Sequence, residues 1–186
     1  MKLLVLLMAA AAWGTEPKGA GTTLLTICMN TGDANQLTFY AARAIAGQML
    51  AETGVKILWR TNEATCSKSP GDILVRVLTS TPEKLKPGAL GQAFPFKGNE
   101  IVIFYDRVLV NAKTMDFAPI LLGHVLTHEI VHLLQGIDGH SGIGLMKARW
   151  TLDDHLLMLH RTLRLANTDI DMIQRGLTKM ALSKNE

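Results

Sequence analysis

Long apolar runs are scarce in this sequence. The longest, Leu3 to Ala12, falls well short of the roughly 20 residues a helix needs to cross a bilayer, which argues against a spanning helix. An excess of one charge is lacking too: 19 Lys and Arg stand against 16 Asp and Glu, leaving +3. The basic residues are scattered rather than gathered into a block, so the electrostatic footprint of a nucleic-acid binder is missing. Cysteine is limited to Cys28 and Cys66, neither with a C-x-x-C partner, which argues against a thiolate zinc site. No internal repeat is present.

The positively charged start Met1-Lys2, the apolar run and the small residues Ala10 and Ala12 have the form of an export signal over residues 1–13. Residues 14–21, with Pro17 and several small residues, read as a flexible leader. The folded domain is expected over 22–186, one domain with one core. The chain is therefore expected to be secreted or periplasmic, free of the membrane after signal cleavage, and monomeric. An oxidising compartment favours pairing an even number of cysteines. A Cys28–Cys66 bridge is expected, stabilising the fold by roughly 3 to 4 kcal/mol through loop closure.

Thr23 to Met29 is a β-branched and apolar run closed by the turn residues Asn30, Gly32 and Asp33. Leu37, Tyr40, Ala41, Ala44, Ile45, Met49 and Leu50 follow at helical spacing, with Gly54 as a left-handed stop. Val55 to Trp59 is a second strand, completing a right-handed βαβ unit and bringing both cysteines near the carboxyl ends of parallel strands. Asp72 to Thr79 alternates as a third strand. Leu90 to Phe96 and Glu100 to Tyr105 read as a hairpin across Lys97-Gly98-Asn99, and Pro95 assigns the first to a sheet edge. No element is assigned between Tyr105 and Pro119. A buried helix is predicted over Pro119–Gln135, stopped by Gly136, then helices over Leu152–Leu165 and from Asn167 or Thr168 onward. The fold class is α/β (α+β), a twisted and mostly parallel sheet of four to five strands with a long helix and C-terminal helices.

The chemistry lies in His128-Glu129-Ile130-Val131-His132, an H-E-x-x-H sequence inside the predicted buried helix. Residues four apart stand one turn apart on one face, so both imidazoles can reach one Zn²⁺. Glu129 is angled off that face, where it reaches a metal-bound water as general base. Two His and one Glu in an apolar helix cost several kcal/mol unless paired or ligated, and a metal supplies that compensation. A catalytic zinc takes a third protein ligand. The leading candidate is His140, reached past Gly136 and Gly139; Asp138 is a second, and Asp153 or Asp154 a third.

The segment from His128 to Ser141, followed by Gly144-Leu145-Met146, resembles the metzincin clan of zinc peptidases, and more closely small metzincin-like proteins of bacteria. In that clan the pattern is H-E-x-x-H-x-x-G-x-x-H followed by a turn with a methionine under the metal. Here Gly136 falls one residue late and His140 two residues late. The resemblance implies a zinc endopeptidase acting on peptide or protein substrates, with Glu129 catalytic, His128, His132 and His140 as ligands of one ion, and Met146 in the Met-turn. It also implies an antiparallel edge strand, Leu90 to Phe94, whose Gly91 and Ala93 take up substrate by strand addition. Two other functions stand beside it: an inactive zinc-binding interaction module, which the altered spacing motivates, and a zinc amidohydrolase acting on a non-peptide amide.

Overall fold

Alternation along the strands sets the architecture. The structure, a computed structural model, describes residues 22–61, 66 and 71–183; the expected export signal and leader lie outside them. In β1 (Thr23–Asn30), Leu25, Ile27 and Met29 are buried while Leu24 is exposed; in β3 (Ile73–Leu78), Ile73 and Val75 are buried while Leu74 and Arg76 are exposed. One sheet face therefore carries the core.

The sheet has the order β2-β1-β3-β5-β4, with β2 at Val55–Arg60, β4 at Gly91–Ala93 and β5 at Glu100–Phe104. All neighbours are parallel except β4 and β5, which pair antiparallel with Gly91 opposite Ile103 and Ala93 opposite Ile101. The α/β class and the antiparallel edge strand are as the sequence predicts. The edge strand is shorter than expected, ending before Pro95, which has no amide to donate.

Among the described residues there are five helices: α1 (Gln36–Ala51), α2 (Tyr105–Ala112), α3 (Ala118–Gln135), α4 (Leu152–Met158) and α5 (Asn167–Ser183). Asn35 caps α1, its side chain accepting the Leu37 and Thr38 amides. The buried face of α1 is Phe39, Ala42, Ala46, Met49 and Leu50, whereas Leu37 and Tyr40, placed in the apolar stripe by the sequence, are 80% and 70% exposed. Helix α2 follows β5 without a loop and fills the stretch left unassigned, burying Tyr105, Val108 and Ala112. The helix predicted to reach Leu165 stops at Met158, because tertiary partners claim the following backbone: the Leu163 amide binds His124, and the Arg164 carbonyl accepts the Leu145 amide.

Helix α3 is the hub, packed against α1, α2, α4, α5, β4 and β5. Gly123 lets α1 approach, since a Cβ there would lie 2.8 Å from Ile45, and Gly176 of α5 lies so close to the last turn of α3 that a Cβ would stand 1.6 Å from the Leu134 carbonyl oxygen. Cys28 and Cys66 form the expected disulfide, with Cα atoms 5.4 Å apart. Among the described residues no helix is long and apolar enough to cross a membrane.

Candidate metal centre

The end of α3 decides how the site is built. Gly136 adopts φ 68°, ψ 29°, and the chain closes with its amide on the Leu133 carbonyl and the Ile137 amide on the His132 carbonyl. This is the Schellman closure, which needs a left-handed residue and turns the chain back across the last helical turn. The Ile137 carbonyl then accepts from His132 Nδ1 at 3.1 Å, and the Leu145 carbonyl accepts from His128 Nδ1 at 2.9 Å. Both imidazoles are thereby fixed with Nδ1 protonated and the Nε2 lone pair free.

Those two Nε2 atoms stand 3.1 Å apart. Two lone pairs held so close repel unless a cation lies between them, and nitrogens on a tetrahedral zinc at its usual bond length are about 3.3 Å apart. His140 joins them, its ring stacked on His128 with centroids 5.3 Å apart and edge-on to His132 at 4.9 Å. The ligand atoms of His128, His132 and His140 all lie within 4.8 Å of one another. The donor set fits a three-imidazole zinc site, with backbone carbonyls orienting two of the ligands from behind.

Electrostatics point the same way. Burial, reinforced by repulsion from His132 and His140 and opposed by the Leu145 carbonyl, pushes His128 down to about 3. Burial and His140 push His132 down to about 4 against the Ile137 carbonyl, Asp138 and Asp169, and burial lowers His140 against Asp138. Three neutral imidazoles are the protonation state a metal requires.

Glu129 is buried beside them, facing the edge strand. A Cβ placed on Gly91 would come within 2.8 Å of Glu129 Cγ and 2.9 Å of Oε1, so glycine is what lets the strand and the carboxyl approach. Burial raises the Glu129 carboxyl to about 8, with the Ala93 amide and the Lys86 charge acting in the opposite direction. His128, Glu129, His132 and His140 line a cleft of about 450 Å³ together with Gly91 and Ala93.

The other candidates fall in different places. Asp138 lines the cleft but is absent from the cluster of ligand atoms. Asp154 closes a capping box with Thr151 at the start of α4 and pairs with Lys147; Asp153 sits in the first turn of the same helix and likewise outside the cluster. Met146 is buried, and its carbonyl accepts the Ser141 amide at 2.8 Å, one residue past His140. His124 is fully buried as a structural residue, Nδ1 donating to the Ile120 carbonyl and Nε2 accepting the Leu163 amide. Arg149 lines the cleft, whereas Tyr105 packs on Phe39 in the core.

Several residues escaped the sequence reading. Trp150 stands edge-on to His128 at 5.7 Å and donates its indole N–H to the same Leu145 carbonyl that His128 uses. Asp169 is buried at the start of α5, where it accepts Ser141 Oγ and the Ala166 amide, tying down the loop that carries His140. The only signal for either was its type: a buried indole or carboxylate must find partners.

No family model and no curated protein matches this chain. Among solved structures it is similar to archaemetzincin from Methanopyrus kandleri, at 17% identity and a TM-score of 0.57, over 87% of this chain and 98% of that one. At that identity the likeness is one of fold: the chain has the mostly parallel sheet, antiparallel edge strand and long central helix of an archaemetzincin-like α/β architecture.

Proposed function

We propose that this chain is an exported zinc-dependent endopeptidase of metzincin type, holding one zinc ion through His128, His132 and His140. The observation that carries this reading is the pair of tautomer-fixed imidazoles whose Nε2 atoms converge at 3.1 Å beside the third histidine. The archaemetzincin-like fold supports it. In the proposed reaction a peptide lies along β4, its backbone pairing with the outer edge at Gly91 and at the Ala93 carbonyl, while the Ala93 amide is turned to Glu129. Zinc at the three imidazoles supplies Lewis acidity toward a carbonyl oxygen and water, and the positive charge that keeps the neighbouring Glu129 ionised. The Glu129 carboxylate takes a proton from water as the water oxygen bonds to the scissile carbonyl carbon. It then returns that proton to the amine nitrogen as the C–N bond breaks. Met146, next in sequence to the Leu145 carbonyl that accepts from His128, is assigned a supporting role beneath the metal.

Glu129→Gln removes the proton acceptor while leaving all three imidazoles in place. The expected outcome is loss of casein or gelatin hydrolysis, by at least the ~10²-fold typical of a general base, with one zinc per chain retained by elemental analysis. Full activity in this variant, or the absence of stoichiometric zinc from the wild type, overturns the assignment.

A further inference from the structure

Resting on the peptidase reading above, we propose that Lys86 recognises a carboxylate of the bound peptide, either an acidic side chain or the free C-terminus, and so sets substrate preference. Lys86 lines the cleft with the three histidines and Glu129. Its charge is felt at two of those groups, Glu129 and His140, from a loop far from α3 in sequence. Its ammonium makes no ion pair among the described residues.

The backbone around Lys86 is held in an unusual way. Lys86 has φ 42°, a left-handed conformation in which Gly or Asn is at ease and a lysine costs about 1 kcal/mol. The guanidinium of Arg107 compensates by donating to four carbonyls of this loop, those of Pro82 (3.2 Å), Leu85 (2.7 Å), Lys86 (2.6 Å) and Ala89 (3.2 Å). It also lies over the Phe104 ring, 4.8 Å from the centroid. Asp106 holds the start of the loop by accepting the Thr81 amide and hydroxyl. Two adjacent residues of α2 thus clamp residues 81–89, and the clamp presents an exposed ammonium at the cleft rim. Arg107 is a positioning residue in this arrangement.

The remaining charged groups of the cleft sharpen the assignment. Lys147 is spent on Asp154, and Asp138 faces His132 and His140. Arg149 adds a second exposed cation to the lining. Lys86 precedes the amino end of β4, and a peptide paired antiparallel to β4 runs its carboxyl-terminal half toward that end. Under that pairing the recognised carboxylate lies on the carboxyl side of the scissile bond.

The test measures binding of fluorescein-labelled peptides to the zinc-loaded Glu129→Gln chain, which reads recognition without turnover, and cleavage of the same peptides by the wild type. The peptides carry Glu, Gln or Lys after the scissile bond, each with a free or an amidated C-terminus. The expected result is tighter binding of the carboxylate-bearing member of a pair by about five- to tenfold, the size of a part-exposed charge-assisted contact. That ratio should fall to about one in Lys86→Gln and survive in Lys86→Arg. Dependence on Glu against Gln assigns the side chain, and dependence on amidation assigns the terminus; either supports the proposal. Equal affinities in the parent, or a ratio unchanged by Lys86→Gln, overturn it, whatever the cleavage result. Carboxylate preference without cleavage in the wild type leaves the Lys86 assignment standing and removes the peptidase reading. Failure of every peptide to bind sinks both.

Discussion

The approach of Gly91 to Glu129 offers a perturbation whose size follows from the structure. A Cβ at position 91 would stand 2.8 Å from Glu129 Cγ, 2.9 Å from Oε1 and 3.1 Å from the carboxyl carbon. Ordinary carbon contacts begin near 3.5 Å, so Gly91→Ala requires about 0.7 Å of relative movement. The backbone at 91 has no positive φ, and the strand itself accepts alanine. The movement falls on the side chain, because Glu129 is anchored on a helix packed on many sides and only its carboxyl end can swing. Overpacking costs about 1 to 3 kcal/mol, offset by the roughly 0.5 to 1 kcal/mol that a strand gains when Gly becomes Ala. The net loss of stability is therefore small, on the order of 1 kcal/mol. The effect on catalysis is much larger, because displacement of a reacting group by nearly 1 Å costs on the order of 10²-fold. Kinetics on a casein substrate, urea unfolding and zinc content would be measured together. The expected pattern is a fall in kcat/KM of about two orders of magnitude, with full zinc occupancy and nearly unchanged stability. Full activity in Gly91→Ala would show that Glu129 is not the proton acceptor. Parallel loss of zinc and activity would show that the edge strand supports the metal rather than the base.

Two further outcomes follow from the same geometry. In the metal-free chain, His128 and His132 titrate near 3 and 4 when folded instead of 6.5, so their contribution to stability is present above pH 6.5 and drains away as pH falls toward 3. Glu129, raised from 4.5 to about 8, acts in the opposite sense: its contribution is present below 4.5 and is lost as pH rises toward 8. Two imidazoles outweigh one carboxyl on the acid side, so urea midpoints of the metal-free chain should peak between about pH 6 and 7 and fall on both sides; a monotonic profile would contradict the burial of one set of groups. Gly176→Ala places a Cβ 1.6 Å from the Leu134 carbonyl oxygen and should cost about 3 kcal/mol or more in thermal unfolding, whereas Gly47→Ala, in open space within α1, should gain about 0.5 to 1 kcal/mol. Equal melting temperatures for the two variants would place α5 elsewhere than on the last turn of α3.

The parts of the fold legible in the sequence are those where local pattern and tertiary demand agree. β1, β2, β3 and α3 carry continuous apolar or alternating patterns bounded by turn residues, and their limits fall within a residue or two of those expected. The errors have physical causes. Helix α1 presents two apolar stripes; Leu37 and Tyr40 lie on the one turned to solvent, and composition alone does not choose the stripe that faces the sheet. Helix α2 is a short segment carrying Asp106, Arg107 and Asn111, held by contacts that include the clamp on residues 81–89 rather than by propensity alone. The continuation past Met158 has helical composition, yet its amides and carbonyls are claimed by His124 and by Leu145, residues distant in the chain.

The site divides along the same line. The spacing of His128 and His132 is a property of any α-helix, so it could be read directly. The position of His140 depends on how the chain leaves that helix, which no local pattern in the sequence specifies. Helix α3 runs through Gln135 before its glycine stop, which accounts for the later Gly136. The Schellman turn then folds Ile137 back so that its carbonyl orients His132, and the loop closes through Ser141 onto both the Met146 carbonyl and Asp169. The loop is thus held by hydrogen bonds at both ends, and it leads the third imidazole back to the first two instead of away from them.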